Sequence, residues 1–196
     1  AFTEVQEMQD KLDFMADIDT HSHSGTALAI ARSVMNEGMS LFSAFVMLLN
    51  YQRFGKMKGV CEIVEWSVRD ETMHCDGMVK LFREFCNEHP RIVTDEFKAN
   101  IYQMFRDAVE LEDKVIDLAF EMGLVEGLSA EEVKSYIRFI ANRRLTQLGL
   151  KPNWEGISEN PLPWLDWVLN GDSFKNFFEG TVTDYNAAGM DGDWGW

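Results

Sequence analysis

Apolar residues recur every three or four positions through most of this chain, which is the spacing of a helix face and not of a strand. The periodicity predicts helices near 2–18, 26–52, 57–87, 94–122 and 130–148, joined by short links. No segment alternates between apolar and polar residues within turn-forming boundaries, so no strand is expected. The boundaries agree with this reading. Pro90 follows a helix end at His89, and "SAEE" at 129–132 offers Ser129 and Glu132 as a reciprocal capping box. Gly123 is expected to close its helix in the left-handed conformation. The fold class is therefore all-α, a bundle of antiparallel neighbours.

From Lys151 onward the pattern loosens. Three of the four prolines and five of the six tryptophans fall here. Pro161 and Pro163 are expected to break helix locally, and Trp164, Trp167, Phe174, Phe177 and Phe178 to lie back over the bundle as a strap. This divides the chain into a helical bundle over 1–150 and a strap with a tail over 151–196.

Two of the apolar stripes contain residues that do not belong in a core. In "VEWSVRDETMHCDGMVKLF" one face reads Val60, Val64, Ser67, Glu71, His74, Met78, Leu81 and Phe85. In "IARSVMNEGMSLFSAFVMLLN" the face reads Ile30, Val34, Glu37, Leu41, Ala44 and Leu48, with Glu37 its only charge. Burying an ionised carboxylate costs several kcal/mol unless a partner or a metal compensates it. Neither stripe supplies a lysine or arginine, and Arg32 and Arg69 are expected on other faces. Glu37 alone could be a protonated core glutamate, and His74 alone a neutral core histidine. With Glu71 at the same interior level, the three read as carboxylate and imidazole ligands suited to iron or manganese.

Composition narrows the partners. The net charge is −15, which argues against binding a phosphate backbone through released counterions. A hydrophobic fraction of 46% and 26% charged residues are ordinary for a globular domain, and no apolar run is long enough to span a membrane. The three cysteines, Cys61, Cys75 and Cys86, lie in helical sequence and point to a reducing, cytoplasmic setting. The first residue is Ala1, as expected of a processed, cut or non-native start.

Carboxylate bundles that hold two metals take a carboxylate from each of two helices and an ExxH from each of two others. This chain offers one of each. His21, His23 and His89 are expected on the surface, so the sequence holds half of a dinuclear site.

At these residues the chain resembles the small, radical-generating subunit of class I ribonucleotide reductase, in its C-terminal half only. "NEGMSLFSAF" resembles a ligand helix of that family and "SVRDETMH" its Arg-Asp-Glu-x-x-His signature. "YIRFIANRRLTQLGL", "NPLPW" and "FKNFFEGTVTDY" follow in the family's order, and the likeness covers roughly residues 5–190. It implies a partial ferritin-like bundle around a dinuclear iron centre, with Mn/Fe or Mn/Mn as alternatives, that activates oxygen and makes a radical for the large subunit to use in reducing ribonucleotides. By the same resemblance Glu71 bridges the metals, and Glu37 and His74 are terminal ligands. Asp70 and Tyr185 serve radical transfer, and the acidic tail docks on the large subunit with Trp194 and Trp196 as anchors. The family's first carboxylate ligand, its first ExxH and its radical tyrosine match nothing here.

Three functions compete at this point. The chain can be one piece of a split or truncated small subunit, active with an N-terminal fragment that carries the remaining ligands. It can be a homodimer that completes the metal site in trans. It can be a non-catalytic remnant that only docks on the large subunit. The ligand-binding oxidases of the same superfamily are a fourth possibility, and the docking-type tail counts against them.

Overall fold

The computed structural model of the chain describes residues 5–16, 18–123 and 125–170, with side chains as far as 166. In order, the helices are α1 (Gln6–Ala16), α2 (His23–Met35), α3 (Phe42–Leu49), α4 (Lys58–Glu88), α5 (Asp95–Glu121), α6 (Ala130–Gln147) and α7 (Pro163–Asn170). A π turn, Asn36–Ser40, joins α2 to α3, and 3-10 turns cover Asn50–Phe54 and Pro90–Ile92. No strand occurs among the described residues, and no helix in them is long and apolar enough to cross a membrane.

Local chemistry sets the helix ends. Ser22 Oγ accepts from the Gly25 amide at the start of α2, and Thr94 Oγ1 accepts from the Phe97 amide at the start of α5. Ser129 and Glu132 form the expected capping box on α6. Each of these oxygens satisfies an amide that the first helical turn leaves without an intrahelical partner. Gly123 does not take the expected left-handed conformation. The glycines that do are Gly55, Gly127, Gly149 and Gly156, so α5 ends through Met122 without a glycine cap. Pro163 does not break a helix but begins α7, where its missing N–H costs nothing.

The long helices pack α2 on α4 and α5 on α6, with the π turn against α4, α5 and α6. Phe105, Met35, Met39, Ile101, Ile116, Ile137 and Leu145 fill the centre with almost no exposure. The segment after α6 is tied down by Asn142. Its Nδ2 donates to the carbonyls of Trp154 and Ile157, and its Oδ1 accepts from the amides of Asn153 and Trp154. Leu162 and Leu165 are buried, and the Arg53 guanidinium lies 4.7 Å from the centre of the Trp164 ring. That part of the strap packs as expected. Trp167, Phe174, Phe177 and Phe178 have no described side chains.

The predicted stripes are rotated from the observed core faces. On α4 the buried residues are Cys61, Val64, Val68, Cys75, Val79 and Phe82. Val60, His74 and Leu81 are exposed, and Ser67, Glu71, Met78 and Phe85 are half-buried. On the segment from α2 to α3 the core takes Ala27, Ala31, Val34, Met35, Met39, Phe42, Val46 and Leu49, while Ala44 is exposed and Ile30, Glu37, Leu41 and Leu48 are half-buried. The helix expected over 26–52 is not continuous. The π turn inserts one residue at 36–40 and shifts the phase of everything after it.

Candidate metal centre

Glu37 lies in the π turn, and Glu71 and His74 lie in the middle of α4. The two segments touch, and each of the three residues offers a ligand atom within 4.8 Å of the others. Within α4, His74 Nδ1 is 3.7 Å from Glu71 Oε2, and His74 Nε2 is 3.6 Å from Asp70 Oδ1. Both separations are too long for hydrogen bonds.

The expectation that the three residues lie in the interior is corrected by their exposure. The His74 side chain is 49% exposed and that of Glu71 23%, and Asp70 points outward at 58%. The reason is the helix rotation described above: α4 turns its small apolar residues inward, and the line through Glu71 and His74 lies at the edge of the packed face. Met73, Leu81, Val60 and Ile63 are exposed on the same helix.

Glu37 is the exception. Its Oε2 is buried without a hydrogen-bond partner. Burial pushes its carboxyl above the ordinary range, the nearby Glu71 carboxylate pushes it further, and His74 partly offsets both. A second carboxylate beside a half-buried one is unfavourable until a cation arrives. The set fits a hard or borderline divalent ion: two anionic oxygens, one imidazole and an unpaired oxygen already desolvated.

The π turn that carries Glu37 is held through its own backbone. The Gly38 carbonyl accepts from Arg144 Nε of α6, at 3.0 Å, and the Ser40 carbonyl accepts from Lys11 Nζ of α1, at 2.5 Å. Gly38 has no room for a side chain, because a Cβ there would lie 2.6 Å from Arg144 Nε and 2.8 Å from Cys75 Sγ. Beyond it, Glu112 of α5 is 1% exposed. Its Oε2 accepts from Ser43 Oγ at 2.6 Å and its Oε1 faces Lys11 Nζ at 2.5 Å.

Sequence reasoning missed Glu112, although its signal was present. It falls on the buried face of α5 with Phe105, Ala108 and Ile116, at the same spacing that singles out Glu37. Lys11 gave no comparable signal, since no residue of α1 is fully buried. His21 and His23 are exposed as expected, and His89 is half-buried with its ring 4.0 Å from that of His23. Tyr185, Trp194 and Trp196 lie outside the described residues.

The family model for the ribonucleotide reductase small chain matches residues 1–161. The chain belongs to that family. It is 44% identical over 179 residues to the probable ribonucleoside-diphosphate reductase small subunit 048L of Invertebrate iridescent virus 3, an alignment covering 91% of this chain and 47% of the viral protein. It is 36% identical over 156 residues to the ribonucleoside-diphosphate reductase subunit beta of Chlamydia pneumoniae, covering 80% of this chain and 44% of that one. Among solved structures, the ribonucleotide reductase R2 subunit of Clostridium botulinum superposes with a TM-score of 0.79 at 27% identity, over 86% of this chain and 54% of that one. The ferritin-like helical bundle follows from this likeness. The chain spans about half the length of these small-chain relatives.

Proposed function

We propose that this chain is a working part of a ribonucleotide reductase small subunit, supplying Glu37, Glu71 and His74 as one side of a dinuclear iron centre. The observation that carries the reading is the buried, unpartnered Oε2 of Glu37 within a three-residue ligand cluster. The centre's remaining ligands come from residues outside this chain, carried by an N-terminal small-subunit fragment. The half-open ligand face and the exposed apolar residues beside it on α4 support that arrangement.

When bound, a pair of iron ions supplies the one-electron chemistry with oxygen from which a protein radical is made. Manganese in one or both positions satisfies the same donors. The chain's own residues do the rest. Glu37, Glu71 and His74 would hold the ions from the side of the π turn and α4, with Glu71 shared between them. Asp70, 3.6 Å from His74 Nε2, holds a proton on the radical-transfer path. Residues 151–196 form the strap and the tail that docks on the large subunit, with Tyr185 passing the radical across. The assembly is a cytoplasmic small-subunit dimer that works on ribonucleotides bound by the large subunit.

The test is co-expression with a fragment carrying the missing carboxylate and ExxH helices. The complex is expected to hold two irons per site and to give a radical signal, both lost in Glu37→Gln and His74→Ala. A complex that stays metal-free defeats the proposal. Two irons bound by a dimer of this chain alone would instead assign the completion to a second copy.

A further inference from the structure

The first helix holds the ligand turn from outside. No residue of α1 is fully buried, yet it lies against α5 and reaches the α2–π segment at three successive points. Arg32 Nη1 donates to the Phe14 carbonyl at 2.5 Å, with its guanidinium 4.7 Å from the centre of the Phe14 ring. Asn36 Nδ2 donates to the Met15 carbonyl at 3.4 Å. The third point is Lys11, whose ammonium lies 2.5 Å from both the Ser40 carbonyl and Glu112 Oε1. The three contacts start five residues before Glu37 and end three residues after it.

We infer that α1 is a clamp on the π turn, and that Lys11 is a positioning residue for Glu37, with Glu112 as its buried counter-ion. The inference deepens the metal-centre reading and rests on it for its consequence. A π turn is one residue wider than a helical turn and is rare, so the regular α-helical register is its natural competitor. Reversion rotates the residues on one side of the turn by about 100° relative to those on the other, since a helix has 3.6 residues per turn. That rotation takes Glu37 away from Glu71 and His74. Lys11 opposes it by occupying the Ser40 carbonyl. Glu112 keeps the ammonium there, because leaving would strand a carboxylate that is 1% exposed.

The experiment uses the 196-residue chain, as wild type, Lys11→Met, Lys11→Arg and the double variant Lys11→Met with Glu112→Gln. The double variant removes the stranded carboxylate, so it folds even if Lys11→Met does not. Hydrogen exchange is read first and without metal. The double variant is expected to exchange the amides of 36–43 severalfold faster than wild type, while those of α6 are unchanged and Lys11→Arg behaves as wild type. Mn2+ titration of the chain in complex with the fragment carrying the missing carboxylate and ExxH helices, followed by electron paramagnetic resonance, is read second. The double variant is expected to bind about 10- to 100-fold more weakly, the range for loss of a group that orients a ligand, with recovery in Lys11→Arg. Unchanged exchange over 36–43, or wild-type Mn2+ affinity in the folded double variant, overturns the clamp. Glu37→Gln separates the two readings. If it loses Mn2+ while the double variant keeps it, the clamp alone fails. If it binds as wild type does, the metal-centre reading fails and the exchange result still decides the clamp.

Discussion

Glu112 and Glu37 are both acids drawn out of water, and their surroundings differ. Glu112 faces an ammonium and a hydroxyl within 2.6 Å and sits in a face closed by α1, α5 and α3. Glu37 has a second carboxylate for a neighbour, His74 alone to offset it, and a face that α4 leaves half open. A compensated buried acid is a structural device. An uncompensated one raises the energy of the folded chain until something positive arrives, and such groups cluster at functional sites.

The largest test of this contrast is on the closed side. Phe105 is fully buried, so Phe105→Ala is expected to destabilise the chain by about 3–5 kcal/mol in chemical denaturation. A markedly smaller loss would mean that the closed side is loosely packed too. Gly38→Ala lies on the boundary, with Arg144 and Cys75 in the way of its Cβ, and is expected to cost about 1–3 kcal/mol. It should also weaken metal binding, because Arg144 must move off the Gly38 carbonyl.

Glu37 then gives a pH signature in metal-stripped protein. Its folded carboxyl is raised above the ordinary value of 4.5 by burial and by Glu71, so the folded state holds its proton more tightly than the unfolded chain does. Stability from this group is therefore lost as pH climbs from 4.5 through the raised folded value. Glu37→Gln is expected to flatten that part of the stability curve. An unchanged slope would place the source elsewhere. The smallest effect is on the open side, where Met73 is 65% exposed: Met73→Ser should alter the stability of the isolated chain by no more than about 0.5 kcal/mol. The same change should weaken association with the fragment that supplies the remaining ligands, and calorimetric titration of the two pieces measures it.

Much of this was legible beforehand. Helix periodicity, the Ser129 capping box and the stop before Pro90 are local features, written in residues a few positions apart, and all recur in the structure. Glu37, Glu71 and His74 stood out because charges on an apolar stripe are conspicuous in one dimension. Their true depth was not legible. The stripe through Val60, Glu71 and Leu81 and the neighbouring one through Val68, Cys75 and Val79 are both apolar enough to be core, and only the packing of α2 on α4 selects between them. The π turn was hidden for a related reason: "NEGMS" carries no signal against an ordinary helical turn.

What the linear chain determined by itself is the set of helices and the chemistry of three candidate ligands, because propensity, capping and side-chain type act over a few residues. Tertiary structure alone decided which faces turned inward, that Lys11 would find Glu112 across 101 positions, and that two distant cations would grip the turn bearing Glu37. Those outcomes depend on how whole helices fit together, and a shift of one residue at the π turn is enough to change them.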